Sequence, residues 1–154
     1  MLQIKRILAP IDFSGHAEQS LAYAREIAFP YQAVLDLLHV IEEPTFPAMY
    51  GTVMNELYGK IPNVSQDARK AMQELLARSE GPDVETGLHV VKGRAGAEIL
   101  RFIEQHDVDL VVMPTHGLTG LEHLLIGSVA EKVVRQALCP VLVVKAFGKS
   151  LLSL

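Results

Sequence analysis

Apolar positions along the chain switch repeatedly between a strand-like and a helix-like period, and the switches divide it into short elements. Ile4-Lys5-Arg6-Ile7-Leu8-Ala9 is an alternating, β-branched run that stops at Pro10. Ala17, Leu21, Ala24 and Ala28 recur at helical spacing and predict a helix through about Phe29, with Ser14 as its N-cap. Ala33 to Val40 reads as a second strand. No period holds from about Glu42 to Asn63, where Pro44, Pro47, Gly51, Gly59 and Pro62 interrupt the chain; so long an irregular segment is often functional. Ala68, Ala71, Met72, Leu75 and Leu76 then mark a second helix, closed by Gly81-Pro82. Val84 to Val91 reads as a third strand, interrupted by Gly87. Ile99, Phe102, Ile103 and His106 place a helical stripe on about 95 to 106. Asp109-Leu110-Val111-Val112-Met113 is nearly continuously apolar, the pattern of a strand buried on both faces. Ala130, Val133, Val134 and Ala137 form the last helical stripe, ended by Cys139-Pro140, and Val141-Leu142-Val143-Val144 is the final strand.

The order is β-α-β-α-β-α-β-α-β. Strict alternation of this kind implies a parallel sheet with helices on both faces: an α/β, doubly wound, Rossmann-like fold. Ligands of such sheets gather outside the carboxyl ends of the strands, at the switch point. That rule singles out Pro10 to Gly15, the segment after Val40, and Met113 to Val129. Composition supports one ordinary folded domain, since 49% of the 154 residues are hydrophobic and 21% charged, which excludes disordered and low-complexity classes. We expect that domain over residues 1–146, followed by a C-terminal tail, 147–154. A net charge of −4 carries no global footprint for nucleic acid. The single cysteine, Cys139, excludes an internal disulfide and a multi-cysteine zinc site. No apolar run approaches the ~18 to 20 residues that span a bilayer, and the expectation is a cytoplasmic protein with neither nucleic-acid nor membrane partner.

Most of the chemical signal lies between Met113 and Ser128. Gly117, Gly120 and Gly127 allow close backbone approach and positive φ. Gly127-Ser128 stands immediately before the last helix, and Ser128 with Glu131 has the spacing of a capping box. A helix N-terminus with free N–H groups favours an anion by about 0.3 to 2 kcal/mol. The plainer reading is that Ser128 only caps the helix and the glycines only turn the chain. Local features leave both open. Asp12 has the same two readings, a ligand contact or a cap for the helix that follows.

Several other patterns carry less. Gly148-Lys149-Ser150 looks like the end of a P-loop, but Val143 holds the place of its first glycine and too few residues follow for a helix. Gly117-Leu118-Thr119-Gly120 has the G-x-x-G of an RNA-binding loop, against the strand pattern and the acidic balance. His39 and His89 read as strand residues with ordinary hydrogen bonds, and only His116 falls in the candidate site. No G-x-S-x-G elbow is present.

Over essentially its whole length the chain resembles the universal stress proteins. The likeness runs through Pro10-Ile11-Asp12-Phe13-Ser14, Leu38-His39-Val40, Asp109 to Met113, Gly127 to Val134 and Cys139 to Val144. The ATP-binding branch of that family carries G-x2-G-x9-G-[S/T]; Gly117, Gly127 and Ser128 match its last three elements, and Pro114 replaces its first glycine. Proline has no N–H to offer a phosphate. The resemblance implies strand order 3-2-1-4-5 and an ATP site. In it, Asp12 and the Val40 backbone serve the adenine and ribose end, Pro10 shapes the first loop and Met113 lies beside the nucleotide. Gly117, Gly127, Ser128 and Val129 then hold the phosphates. Mg²⁺ would be held mainly through phosphate oxygens and water. The implied protein is a stress-response regulator or sensor without a catalytic residue. Two alternatives stand beside it: a dimeric interaction protein that has lost nucleotide, for which Pro114 speaks, and a slow ATPase.

The implied strand order leaves Val141, Leu142, Val143 and Val144 at a sheet edge. An apolar, proline-free edge is seldom left open, and antiparallel pairing with a second copy across a two-fold axis closes both edges. The resemblance points to the same strand as a homodimer seam. The competing arrangement has the tail from Ala146 to Leu154 folded over it.

Overall fold

Every strand pair in the sheet is parallel, and the order is β3-β2-β1-β4-β5. This computed structural model describes residues 1–42, 64–116, 126–145 and 150–152. The elements are β1 (Arg6–Pro10), α1 (Ala17–Tyr31), β2 (Val34–Ile41), α2 (Val64–Arg78), β3 (Thr86–Lys92), α3 (Ala95–Gln105), β4 (Leu110–Pro114), α4 (Ser128–Gln136) and β5 (Val141–Val144). The expected alternation and strand order are both present. The aperiodic segment beyond Glu42, together with Gly117 and Gly120, lies outside the described residues.

Alternation along β1 sends Ile7 and Ala9 to one face of the sheet and Leu8 to the other. Ile7, Ala9, Leu35, Leu37 and Val112 pack with Ala17, Leu21, Ala24 and Ala28 of α1 and with Met72 and Leu75 of α2. Leu8, Leu38, Val111 and Met113 pack with Ile99, Phe102 and Ile103 of α3 and with Ala130 and Val133 of α4. The helical stripe read for α1 is therefore its buried face. In α4 it is only half so, because Val134 is 48% exposed. A helix of nine residues presents a single narrow stripe to the sheet, and Ala130 with Val133 fills it.

Ser14 does not cap α1. The helix begins at Ala17 with His16 at the N-cap and no side-chain cap. The preceding turn uses Ser14 differently: its N–H donates to Asp12 Oδ1 (3.0 Å), and its carbonyl accepts from Ala17 N–H (3.0 Å). Midway along, α1 is tied to the close of α2 by Arg25. This buried guanidinium donates to the carbonyls of Pro82 (2.9 Å) and Ser79 (2.9 Å), satisfying groups at the close of α2. In the tail, Leu151 N–H donates to Tyr23 Oη on α1 (2.8 Å).

One buried network was not legible in the sequence. Asp36 on β2 is 2% exposed beneath the α3 face. Its Oδ2 accepts from Arg6 Nη1 (2.6 Å) on β1 and its Oδ1 from His89 Nε2 (2.8 Å) on β3. Three strands are thereby joined through one carboxylate.

The two central strands part before they end. β1 follows β2 as far as Pro10↔Leu38, and β4 follows β5 as far as Pro114↔Val144. Between themselves β1 and β4 pair only at Ile7↔Leu110 and Leu8↔Val111. The backbone bonds give the reason. Ile11 N–H points to β2 (Leu38 O, 2.8 Å), so alternation turns position 10 towards β4. Thr115 N–H points to β5 (Val144 O, 3.1 Å), so position 114 turns towards β1. Both positions are proline, and neither has a hydrogen to donate across that seam.

Candidate functional site

Three chain segments converge at the carboxyl end of the sheet, around the gap between β1 and β4. The first is the turn after β1. Pro10 is buried and ends the strand, while Ile11 keeps pairing with β2 through its N–H. Phe13 adopts φ 59°, a left-handed conformation uncommon for a non-glycine residue. Asp12 is half-buried, and its Oδ1 accepts the Ser14 N–H across that turn. The Ser14 hydroxyl is buried without a hydrogen-bond partner among the described residues.

The second segment is the end of β2. His39 Nδ1 donates to Ile11 O (2.7 Å), and its ring lies against Phe13 with centroids 4.5 Å apart. Val40 is half-buried, with its side chain against the α3 and α4 core. Beyond it the chain is anchored to α3: Gly93 N–H donates to Ile41 O (3.0 Å), and Glu42 Oε1 accepts from Ala95 N–H (2.8 Å). That carboxylate serves the α3 N-terminus, where the N-cap residue Arg94 makes no side-chain cap.

The third segment joins β4 to α4. Thr115 is 6% exposed, and His116 Nδ1 lies 3.0 Å from Thr115 Oγ1. Gly127 N–H donates to Thr115 O at 2.6 Å, drawing the start of α4 onto the end of β4. Gly127 has φ −73°, so positive φ is not what it supplies. A Cβ there would stand 3.0 Å from Thr115 O and 3.6 Å from His116 Cα, and close approach is what the position requires.

The expected capping box does not form. Gly127 is the N-cap and Ser128 is the first helical residue, so the N-cap position brings no side chain to cap the helix. Thr115 already takes the Gly127 N–H, and Glu131 pairs with Arg135 instead (2.8 Å). The amides of Ser128, Val129 and Ala130 therefore have no acceptor within α4. Together with the positive end of the helix dipole, they form a patch suited to an anion.

Pro10, Asp12, Val40, Met113, Gly127, Ser128 and Val129 thus all lie at one end of the sheet, while Gly117 lies outside the described residues. The side chains divide by role. Met113 is 4% exposed and, with Val40 and Val129, belongs to the core under α3 and α4. Ser128 is exposed and Asp12 half-exposed. Sequence reasoning missed the grip of His39 on Ile11 and of Glu42 on Ala95. The available signal was a polar residue inside an apolar strand, which does not name its partner. Among the described residues no group of three metal-ligating side chains occurs, and no helix is long and apolar enough to cross a membrane.

The sequence profile of the Universal stress protein family matches residues 3–145. The chain is 33% identical over 141 residues to Universal stress protein MJ0531 of Methanocaldococcus jannaschii, covering 92% of this chain and 82% of that one. It is 31% identical over 156 residues to Universal stress protein MJ0577 of the same organism, covering 92% and 94%. The solved structure of MJ0577 superposes with a TM-score of 0.78 at 32% identity, over 96% of this chain and 100% of that chain. Two more distant structures share the fold: a universal stress protein in complex with cAMP (TM-score 0.64, 17% identity, 94% and 98% coverage) and one from Archaeoglobus fulgidus in complex with dAMP (0.60, 16%, 93% and 98%).

Proposed function

The chain belongs to the universal stress protein family, and from that premise we propose that it is a cytoplasmic stress-response regulator or sensor that binds ATP at the carboxyl end of its sheet. One observation carries the reading: the Gly127–Thr115 bond sets the amides of Ser128, Val129 and Ala130, which have no acceptor within α4, at the end of β4 beside its gap from β1. An anion at that helix end and a ring reaching towards Asp12 and the end of β2 have the layout of a nucleotide. The buried Ser14 hydroxyl, without a hydrogen-bond partner among the described residues, lies in the same turn as Asp12 and is suited to a polar ligand atom. Two more distant structures of the same fold are complexes with cAMP and with dAMP.

In this reading Asp12 and the Val40 backbone meet the ribose and adenine, with Pro10 and Met113 shaping the floor. Gly117, Gly127, Ser128 and Val129 meet the phosphates. Mg²⁺ is held through phosphate oxygens and water, as suits that hard cation. No residue is assigned as a general base, so hydrolysis is slow at most. A homodimer through β5 completes the proposal. Val141 and Val143 turn their backbone groups away from β4, because the carbonyls at 140 and 144 are the ones that accept from β4.

The test is calorimetry with Mg-ATP, backed by analysis of nucleotide released by heating the purified protein. Micromolar affinity, equivalent to about −8 kcal/mol, is the expected result. No heat of binding at millimolar ATP would falsify the reading. That result would favour the alternative, an interaction protein without nucleotide. Pro114 supports this second reading, since it removes one backbone donor from the switch point.

A further inference from the structure

His39 holds the loop that carries Asp12. Its Nδ1 is 2.7 Å from Ile11 O, and a carbonyl oxygen only accepts, so Nδ1 carries the proton. One position earlier on β2, Leu38 O accepts the Ile11 N–H at 2.8 Å. Two successive residues of β2 therefore grip both backbone groups of Ile11. This happens one residue past the end of β1, where strand pairing is otherwise finished. The imidazole also lies against Phe13, with ring centroids 4.5 Å apart and planes inclined by 44°. Phe13 is the residue forced to φ 59°, and such a conformation persists only where its surroundings over-determine it. Asp12 stands between these two fixed points. Its carboxylate is further tied to the Ser14 amide at 3.0 Å.

We propose that His39 is a positioning residue for the nucleotide site. Its Nδ1–H to Ile11 O and its ring against Phe13 fix the turn in which Asp12 faces the ligand. The proposal rests on the nucleotide-binding reading above. His39 itself touches no ligand. The geometry is selective about which side chain can do this, because the donor must stand one carbon from Cβ on the β2 side. Asparagine places an amide N–H close to where Nδ1–H lies; leucine keeps apolar bulk against Phe13 without a donor.

The experiment compares wild type, His39→Leu and His39→Asn by ATP calorimetry and by amide hydrogen exchange without nucleotide. His39→Leu should weaken ATP binding by about tenfold, the scale of one lost hydrogen bond, and speed exchange at Phe13 and Ser14. His39→Asn should restore both towards wild type. A purely structural role would lower thermal stability in both variants without separating them in affinity. A double variant with Asp12→Ala sharpens the assignment: once Asp12 is gone, His39→Leu should cost little further affinity. Equal ATP affinity and equal exchange in wild type and His39→Leu would overturn the proposal. If wild type binds no ATP, the nucleotide reading fails; unchanged loop exchange in His39→Leu would then overturn the positioning role separately.

Discussion

Gly87 of β3 stands directly opposite Asp36 of β2, and its missing side chain is where the Asp36–His89 hydrogen bond passes. A Cβ at Gly87 would stand 2.5 Å from Asp36 Oδ1 and 2.9 Å from His89 Nε2. The glycine that interrupts β3 in the sequence is thus the space through which a buried carboxylate reaches its partner.

Gly87→Ala should therefore destabilise the protein by about 1–3 kcal/mol, the usual range for overpacking a well-filled site. Asp36→Ala should cost about 1–3 kcal/mol, because Arg6 and His89 lose their shared acceptor while Arg6, one-third exposed, keeps part of its contact with water. Urea unfolding measures both. The test is comparative: Gly87→Ala as stable as wild type would mean that the close approach is not constraining.

Gly127→Ala brings a methyl group to 3.0 Å from Thr115 O. The start of α4 should move away from β4 and carry its amides with it. ATP affinity should fall by about tenfold or more while overall stability changes by only about 1 kcal/mol. Calorimetry and thermal melts on the same samples separate the two effects.

Pro114→Gly should change ATP affinity by no more than about tenfold, because the helix α4 amides remain in place. Glycine there also frees the unfolded chain, so the melting temperature should fall. A gain in affinity far beyond tenfold would mean that the proline obstructs the site.

Val143→Pro removes an N–H that points away from β4, a place where a sheet edge tolerates proline. The β4–β5 pairing should survive and pairing with a second copy should not. Light scattering is expected to give a dimer for wild type and a folded monomer for the variant. A monomeric wild type at tens of micromolar would remove the β5 seam from consideration.

Burial pushes the Cys139 thiol above its ordinary pKa, and the nearby Asp109 charge adds to the rise against an opposing backbone hydrogen bond. The native state thus favours the neutral thiol. Its contribution to stability is complete below the ordinary thiol range and is lost as pH rises through the raised folded value. Alkylation of Cys139 in native protein should be slower at pH 8 than in unfolded protein, and stability should decline above about pH 9 more steeply than in Cys139→Ala.

The order of elements and the parallel sheet were legible because each element announces its own period. Ala17, Leu21, Ala24 and Ala28 needed no knowledge of their partners to be read as one face. Capping was not legible in the same way. Ser14 and Ser128 are both strong capping residues by type, yet one holds a turn ahead of α1 and the other is the first residue of α4. Which residue becomes the cap was decided by bonds that residue type does not announce, Thr115 O for Gly127 and Asp12 Oδ1 for Ser14. The Arg6–Asp36–His89 network was hidden for the same reason: its members are 30 and 53 residues apart. For the site, position along the strands predicted which residues share the carboxyl end of the sheet, and the described ones do lie there. It did not reveal that Met113 turns its side chain into the core.

The facing prolines at the ends of β1 and β4 make the opening between those strands a matter of valence. Thermal breathing can loosen packed side chains and reseal them, but it cannot give Pro10 or Pro114 an amide hydrogen. At that point of the sheet a ligand meets no latch to undo. If the proposed nucleotide binds there, its entry requires no strand-to-strand bond to break, and the sheet keeps one geometry with and without it.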